Sequence, residues 1–231
     1  AAHVHAVAIG DDLVFLDVSV DAYFCLVGAA GAITLGPDGV LVAADADSAG
    51  LLLDAGLAAD ALSGPRRRPP AKPTLDLPNA ARRAGLAEIA ALGRACVATA
   101  AAFGFERFDG LVAKAAAQRE RGRRPRDASD AVIEASAVFA RLRPWSPVGG
   151  VCLKRSHLQL QYLRRLGLDA DWVFGVRTWP FMAHCWLQSG PVALDDDVER
   201  VVDIVPVVAR AAVQAVDPGA AVQRVGPGVA D

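Results

Sequence analysis

The sequence has no run of 18 or more uncharged apolar residues, so no membrane span is expected. It has no charge bias: a formal net charge of −2 gives no basic footprint for a nucleic-acid partner. Aromatic residues are few, at 6%, and the 53% apolar share comes largely from Ala and Val. The four cysteines stand far apart, at 25, 96, 152 and 185. No CxxC pair occurs, which argues against a zinc ribbon or a dithiol redox motif. The opening AAHVHAVAIGDD lacks a basic segment followed by an apolar one, so it does not read as a signal peptide. The chain also lacks a starting Met, which suggests a trimmed N-terminus. A cytoplasmic location with reduced thiols follows as the expectation. There is no GxxxxGK[ST], hence no P-loop, and no internal repeat.

What is present divides the chain in three. Gly64 to Pro78, GPRRRPPAKPTLDLP, is a proline-rich linker with three consecutive arginines. Proline removes backbone donors and biases its predecessor away from helix, so this stretch is expected to be extended and solvated. At ~3.1 Å per residue it spans roughly 40 Å, enough to separate its flanks or let copies exchange them. Residues 1–63 open with alternating patterns around Val4 to Ala8 and Leu13 to Phe15, with a turn at Gly10-Asp11-Asp12. Tyr23 to Leu26 reads as a third short strand, followed by small helices. The clearest of these is Asp47 to Leu57, with Asp47 as N-cap and Gly56 as C-cap. Such a meander has a thin core and an exposed strand edge, to which an extended peptide can add.

Residues 79–231 begin helical, with Leu86, Ile89, Ala90, Leu92 and Val97 on a 3.6-residue stripe. Val112 to Ala117 continues or repeats it, Glu120 to Asp130 is a charged loop, and Asp130 to Leu142 is a further helix. A helix from Cys152 follows. Strands are expected at Trp172 to Val176, Phe181 to Gln188 and Val192 to Asp195. The fold class is therefore α+β.

The chemistry concentrates at Cys152 and His184. Gly149 and Gly150 allow a sharp turn into a helix whose first-turn N–H groups face the thiol. The positive helix end favours thiolate, the nucleophilic form, and the same N–H groups suit an oxyanion. Trp145 and Gln159 are candidates for a second oxyanion donor. His184 lies on a strand that Ser189-Gly190-Pro191 turns into an acidic cluster, Asp195 to Asp197. A three-residue loop puts Asp196 opposite His184, and a two-residue loop puts Asp195 there; Asp196 is preferred. The imidazole would take the thiol proton and return it to the leaving amine, with the aspartate orienting it. Zinc is the rival, through Cys152, His157, His184 and Cys185. It is disfavoured because His184 and Cys185 alternate across a strand, and Cys152 and His157 stand nearly 140° apart on a helix. No metal is expected. Cys25 and Cys96 sit in apolar runs and read as core.

The stretch from Cys152 to about Asp196 resembles the leader peptidases of lasso-peptide biosynthesis, the B proteins. The matching motifs are Cys152-Leu153-x-Arg155-Ser156, Leu163-Arg164-Arg165-x-Gly167, Gly175 to Arg177, and Pro180-Phe181-x-Ala183-His184 with Trp186. The sequence departs from the pattern at Cys185, where Ala is usual, and at Gln188, where Glu is usual. The resemblance implies a papain- or transglutaminase-like cysteine peptidase with Cys152, His184 and Asp196 as its catalytic residues. Leu13 to Leu26 likewise resembles the small winged-helix-like domains, similar to the pyrroloquinoline-quinone chaperone, that bind precursor leaders. That likeness implies a leader strand beside Tyr23, Phe24, Cys25 and Leu26, packed on the following helix near Leu53. The implied partners are a ribosomal precursor peptide and an asparagine-synthetase-like cyclase that closes the ring. Some members need ATP; without a P-loop, any such effect needs another site or the cyclase. The competing readings are an inactive leader-docking module and another acyl-transfer enzyme of the same fold.

Overall fold

The computed structural model describes residues 3–36, 39–59, 70–79, 82–121, 130–209 and 222–224. Three antiparallel strands open the chain: β1 (Val4–Ile9), β2 (Asp12–Asp17) and β3 (Ala22–Leu26), in that spatial order. Gly10, at φ 58°, makes the first turn in a conformation that favours glycine. Two short strands, β4 (Ile33–Leu35) and β5 (Leu41–Ala43), and one nine-residue helix, α1 (Ala46–Asp54), stand where several small helices were expected. The α1 N-cap is Asp45, not Asp47. Its carboxylate accepts from Ser48 N–H at 2.7 Å and from the Ser48 hydroxyl at 3.1 Å, and Asp47 lies in the first turn. Gly56, at φ 68°, follows the helix end in the left-handed conformation.

The second part holds α2 (Leu86–Phe105), α3 (Phe108–Arg121), α4 (Asp130–Leu142) and α5 (Cys152–Arg165). It continues with β6 (Asp171–Arg177), β7 (Met182–Ser189), β8 (Val192–Ala193), α6 (Val198–Val201) and β9 (Val205–Ala209). These strands form one antiparallel sheet in the order β8-β7-β6-β9. A last strand, β10 (Val222–Arg224), pairs parallel to β5. The central helix is α5, packed on α2 and α4 and against β7. Its buried face runs nearly all the way round, from Ser156 to Leu163, as expected of a helix enclosed on several sides. Of the charged loop expected at Glu120 to Asp130, the ends are helical; residues 122–129 lie outside the described residues.

Helix α2 is long and apolar enough, by length and composition, to cross a membrane. It nevertheless carries Glu88, whose carboxylate meets Arg82 at 2.6 Å, and it buries Ala91, Ala95 and Thr99 in the protein interior.

Strand β2 joins the two parts. Leu13 and Phe15 face a small core with Leu41, Ala49 and Leu52. Val14 and Leu16 point the other way, into the large core that contains Leu158, Trp172 and Phe174. The run LVFL is thus buried on both faces, and each exchange of side follows the two-residue period. The parts share a core and are not held apart.

The linker is extended, but its described end is not free in solvent. Thr74 and Leu75 N–H both donate to Pro191 O, at 2.8 and 3.0 Å, and Ala193 N–H donates to Leu75 O at 2.9 Å. Gln188 Nε2 donates to Ala71 O at 2.9 Å, and Asp76 accepts from Val198 N–H at 2.7 Å. Prolines here remove donors at intervening positions and leave Thr74 and Leu75 to bind the β7–β8 hairpin. Arg66 to Arg68 lie outside the described residues.

Candidate active site

Cys152 is the first residue of α5. The chain enters through Gly150 at φ 135°, where a Cβ would stand 2.8 Å from the Lys154 side chain. No side chain caps this helix, so its first-turn N–H groups are left toward the thiol side. Ser156, one turn on, donates its hydroxyl to Cys152 O at 2.8 Å and accepts from Trp172 Nε1 at 2.8 Å. The buried indole thereby fixes the turn that carries the sulfur.

His184 and Asp196 meet directly, with Nε2 donating to Oδ2 at 2.6 Å. That leaves Nδ1 as the ring nitrogen available to a thiol. The contact does not arise from the strand register considered above. The hairpin loop has two residues, Gly190 and Pro191, because Ser189 pairs with Val192 and Gln188 with Ala193. Extended further, that register would set Asp197 opposite His184 and Asp195 opposite Trp186; only a two-residue loop at Ser189-Gly190 would have set Asp195 opposite His184. Instead β8 ends at Ala193 and the chain folds back over the edge of β7. Asp195 Oδ1 caps Leu187 N–H at 2.7 Å, and Asp196 is delivered to the imidazole.

Asp196 is gripped from four sides. Besides His184, its Oδ2 accepts from Arg155 at 2.5 Å, and its Oδ1 faces Arg200 Nε at 3.3 Å and Asp197 N–H at 3.0 Å. Burial pushes its pKa up. The His184 hydrogen bond and the Arg155 charge more than offset this, and the group settles at about 2. Asp195, fully enclosed, is pushed up by burial to about 7 despite the Leu187 N–H and Arg155. Two adjacent carboxylates are thus driven in opposite directions, and the one on the imidazole is held ionised.

The thiol and the imidazole are also displaced toward their charged forms. The Cys185 thiol is the largest influence lowering the Cys152 pKa; burial opposes it, and His184 and the Cys185 N–H assist, with the result at about 4. The Asp196 hydrogen bond and then the Cys152 sulfur raise His184 to about 9. Between those values the resting pair is thiolate and imidazolium.

The described residues hold a second histidine site. Thr99 Oγ1 lies 3.1 Å from His157 Nδ1, and Cys96, one turn before Thr99, has its sulfur 3.3 Å from Ser146 Oγ. Aromatic rings of Phe103 and Trp172 flank His157, and Gln161 Nε2 is 3.4 Å from its other nitrogen. Burial, with Arg164 and Arg165 nearby, pulls the His157 pKa down to about 4. It is a neutral core histidine near physiological pH. Among the described residues no group of three or more His, Cys, Asp or Glu is arranged to hold a metal.

The five residues expected at a leader edge divide between two faces. β3 pairs only with β2, so its outer edge is open among the described strands. Tyr23 packs toward the large core. Cys25 follows it by the two-residue period but is exposed, so of the two cysteines expected in the core only Cys96 is buried. Leu26 and Leu53 flank the small core, on the Phe24 side. Burial first, with Asp21 and the Cys152 thiolate adding to it, holds the Tyr23 phenol protonated. Its ring meets Phe181 edge-on at 5.9 Å. Phe181 belongs to the β6–β7 loop, which contains a cis Trp179–Pro180 peptide and whose Trp179 Nε1 donates to Asp12 at 2.8 Å. The first sheet therefore borders the site directly.

Sequence reasoning gave Arg155 and Arg200 no role beside Cys152, weighed Cys185 only as a disfavoured zinc ligand, and placed Tyr23 only at the leader edge. Arg155 had a signal, since three residues after Cys152 is the same helix face. Tyr23 had none, because only the shared core brings β3 there. Gln159 is buried and donates to Leu194 O at 3.1 Å, so its amide is already engaged.

Residues 95–209 match the transglutaminase-like superfamily. The match takes in α5, β6, β7 and the Asp195–Asp197 segment, and thus every residue of the Cys152 site described above except Tyr23. No curated protein and no solved structure gives a match.

Proposed function

From the transglutaminase-like domain over residues 95–209, we propose that this protein is a cysteine peptidase that removes the leader of a ribosomally made lasso-peptide precursor. The observation that carries the enzymatic part is the relay Cys152–His184–Asp196, with the carboxylate 2.6 Å from the imidazole and both charges displaced toward the ion pair. The Cys152 thiolate attacks the scissile carbonyl, and the first-turn N–H groups of α5 face the developing oxyanion. His184 then passes its proton to the leaving amine, and a thioester remains on Cys152. Water, deprotonated by the same imidazole, hydrolyses it. Asp196 keeps the ring oriented and stabilises its charge, itself held by Arg155 and Arg200. Each step uses groups of the chain and water alone.

The leader part of the reading rests on the open β3 edge beside the site and on the motif resemblance. A peptide added to β3 sends alternate side chains to the Tyr23 face and to the Phe24–Leu26 face. The freed amine then becomes the substrate of an asparagine-synthetase-like cyclase. The test is a precursor peptide incubated with wild-type protein, Cys152→Ala and Phe24→Lys. Wild type should release the leader, Cys152→Ala should bind without release, and Phe24→Lys should bind more weakly. Cleavage by Cys152→Ala at the wild-type rate refutes the proposal.

The superfamily match also favours a second reading, acyl transfer to an amine. It differs in the acceptor only. Added small amines would then divert the acyl group from water into a stable amide, which mass spectrometry of the products resolves.

A further inference from the structure

Cys185 is a buried thiol, 2% exposed, that the proposed reaction does not use. Its position follows from the short hairpin. Leu187 N–H and C=O both point toward the β8 side, to Asp195 and Leu194 N–H respectively. Two residues earlier the N–H of Cys185 points to the same side, by the strand period. There β8 has already ended at Ala193, and α5 packs against β7. The Cys185 thiol and the Cys185 N–H both hydrogen-bond toward the Cys152 sulfur. Ser156 Oγ spans the two, 2.8 Å from Cys152 O and 3.5 Å from Cys185 Sγ.

One sulfur is thus partly exposed and the other closed behind it. An external oxidant meets Cys152 first, because Cys185 is enclosed. We propose that Cys152 and Cys185 form a peroxide-responsive dithiol, in which Cys185 resolves a sulfenic acid at Cys152 and closes a reversible disulfide that silences the site. The Cys152 thiolate attacks a peroxide oxygen, the O–O bond breaks, and the departing hydroxide takes a proton to become water. Cys152 is then a neutral sulfenic acid. Loss of its negative charge removes part of what keeps Cys185 protonated. The Cys185 sulfur gives up its proton and attacks the Cys152 sulfur; the S–O bond breaks and a second water leaves. Two thiols have been oxidised by two electrons and one peroxide reduced to two waters. A dithiol reductant reverses the change by exchange.

Loss of acyl-transfer activity on oxidation rests on the function proposed above, but the disulfide itself requires only the two sulfurs. The experiment treats reduced full-length protein with stoichiometric hydrogen peroxide. It reads free thiols, intact mass and peptide maps before and after dithiothreitol. Wild type should lose two of its four thiols. The loss should map to a Cys152–Cys185 peptide, and dithiothreitol should restore both thiols and the alkylation of Cys152. In Cys185→Ser and, as a second variant, Cys185→Ala, a second equivalent of peroxide should carry the unresolved sulfenic acid at Cys152 to sulfinic acid that dithiothreitol does not recover. Sulfinic acid at Cys152 in the wild type with Cys185 still free overturns the proposal, as does a disulfide mapped to Cys25 or Cys96. If the 152–185 disulfide forms while Cys152→Ala still cleaves precursor, the dithiol stands and the peptidase assignment falls.

Discussion

The molecule contains two imidazoles with hydroxyl or thiol neighbours, and they are driven in opposite directions. His184 lies against Asp196 and the Cys152 sulfur and is raised to about 9. His157 lies between Thr99, Phe103 and Trp172 and is lowered to about 4 by burial. Proximity of a thiol-bearing helix to a histidine is common to both. The carboxylate is the difference. A base that must hold a proton until the amine leaves needs an anion behind it; a histidine that fills a core needs a hydrogen bond and neutrality. The comparison favours His184 over His157 for the proposed chemistry, although both lie on or against α5.

Cys152→Ala should produce the largest effect, a fall in precursor cleavage of at least about a thousandfold, as for loss of a nucleophile elsewhere. Cys96→Ala should leave the rate within about twofold of wild type, since its sulfur meets Ser146 and no anion. Cleavage assays on both variants check this pair. Asp196→Asn should lower the rate on the order of a hundredfold. It should also move the upper limb of the pH profile down, because the hydrogen bond that raises His184 is weakened. Asp195→Asn should be much milder in rate, since that carboxylate caps Leu187 N–H and does not touch the ring.

The smaller effects fall on stability. Gly175→Ala should lower the melting temperature, with a cost of about 1–3 kcal/mol for overpacking. Its Cβ would stand 2.6 Å from Ile204 Cγ2 and 2.9 Å from the Val205 carbonyl, and backbone cannot step aside cheaply. Thr99→Val should cost about 1–3 kcal/mol by leaving the His157 nitrogen unpaired in the core. It should leave the alkylation rate of Cys152 unchanged. A large rate loss in that variant would erase the distinction between the two imidazoles.

The sequence carried much of this site, unevenly. The helix starting at Cys152 and the helix Asp130–Leu142 have clear periodicity and helix-start chemistry, and they fold as those signals direct. Asp196 was chosen through a register that the hairpin does not have. Its arrival depends on β8 stopping after two residues, which no local pattern marks. β9 was missed: Pro206 interrupts its apolar run, and a proline is tolerated there because β9 is the outer strand of its sheet. The linker shows the converse. Its prolines signalled extension correctly, but the partners of Thr74 and Leu75 come from the far end of the fold. Likewise the burial of Val14 and Leu16 depends on a second layer that lies more than a hundred residues away in sequence.

The account's central claim is that Cys152 rests as a thiolate paired with a protonated His184, and site-resolved alkylation across pH tests it most directly. An ordinary thiol, with a pKa of about 8.5, reacts slowly below neutrality. Cys152 should be modified at nearly its full rate at pH 6 and lose reactivity only as pH falls toward about 4, where its sulfur takes up a proton. Above about 9 the imidazolium deprotonates. Alkylation should then persist while peptide cleavage falls, because the thiolate remains and the proton for the leaving amine is gone. A Cys152 that alkylates only above pH 8 would contradict the ion pair and with it the proposed site.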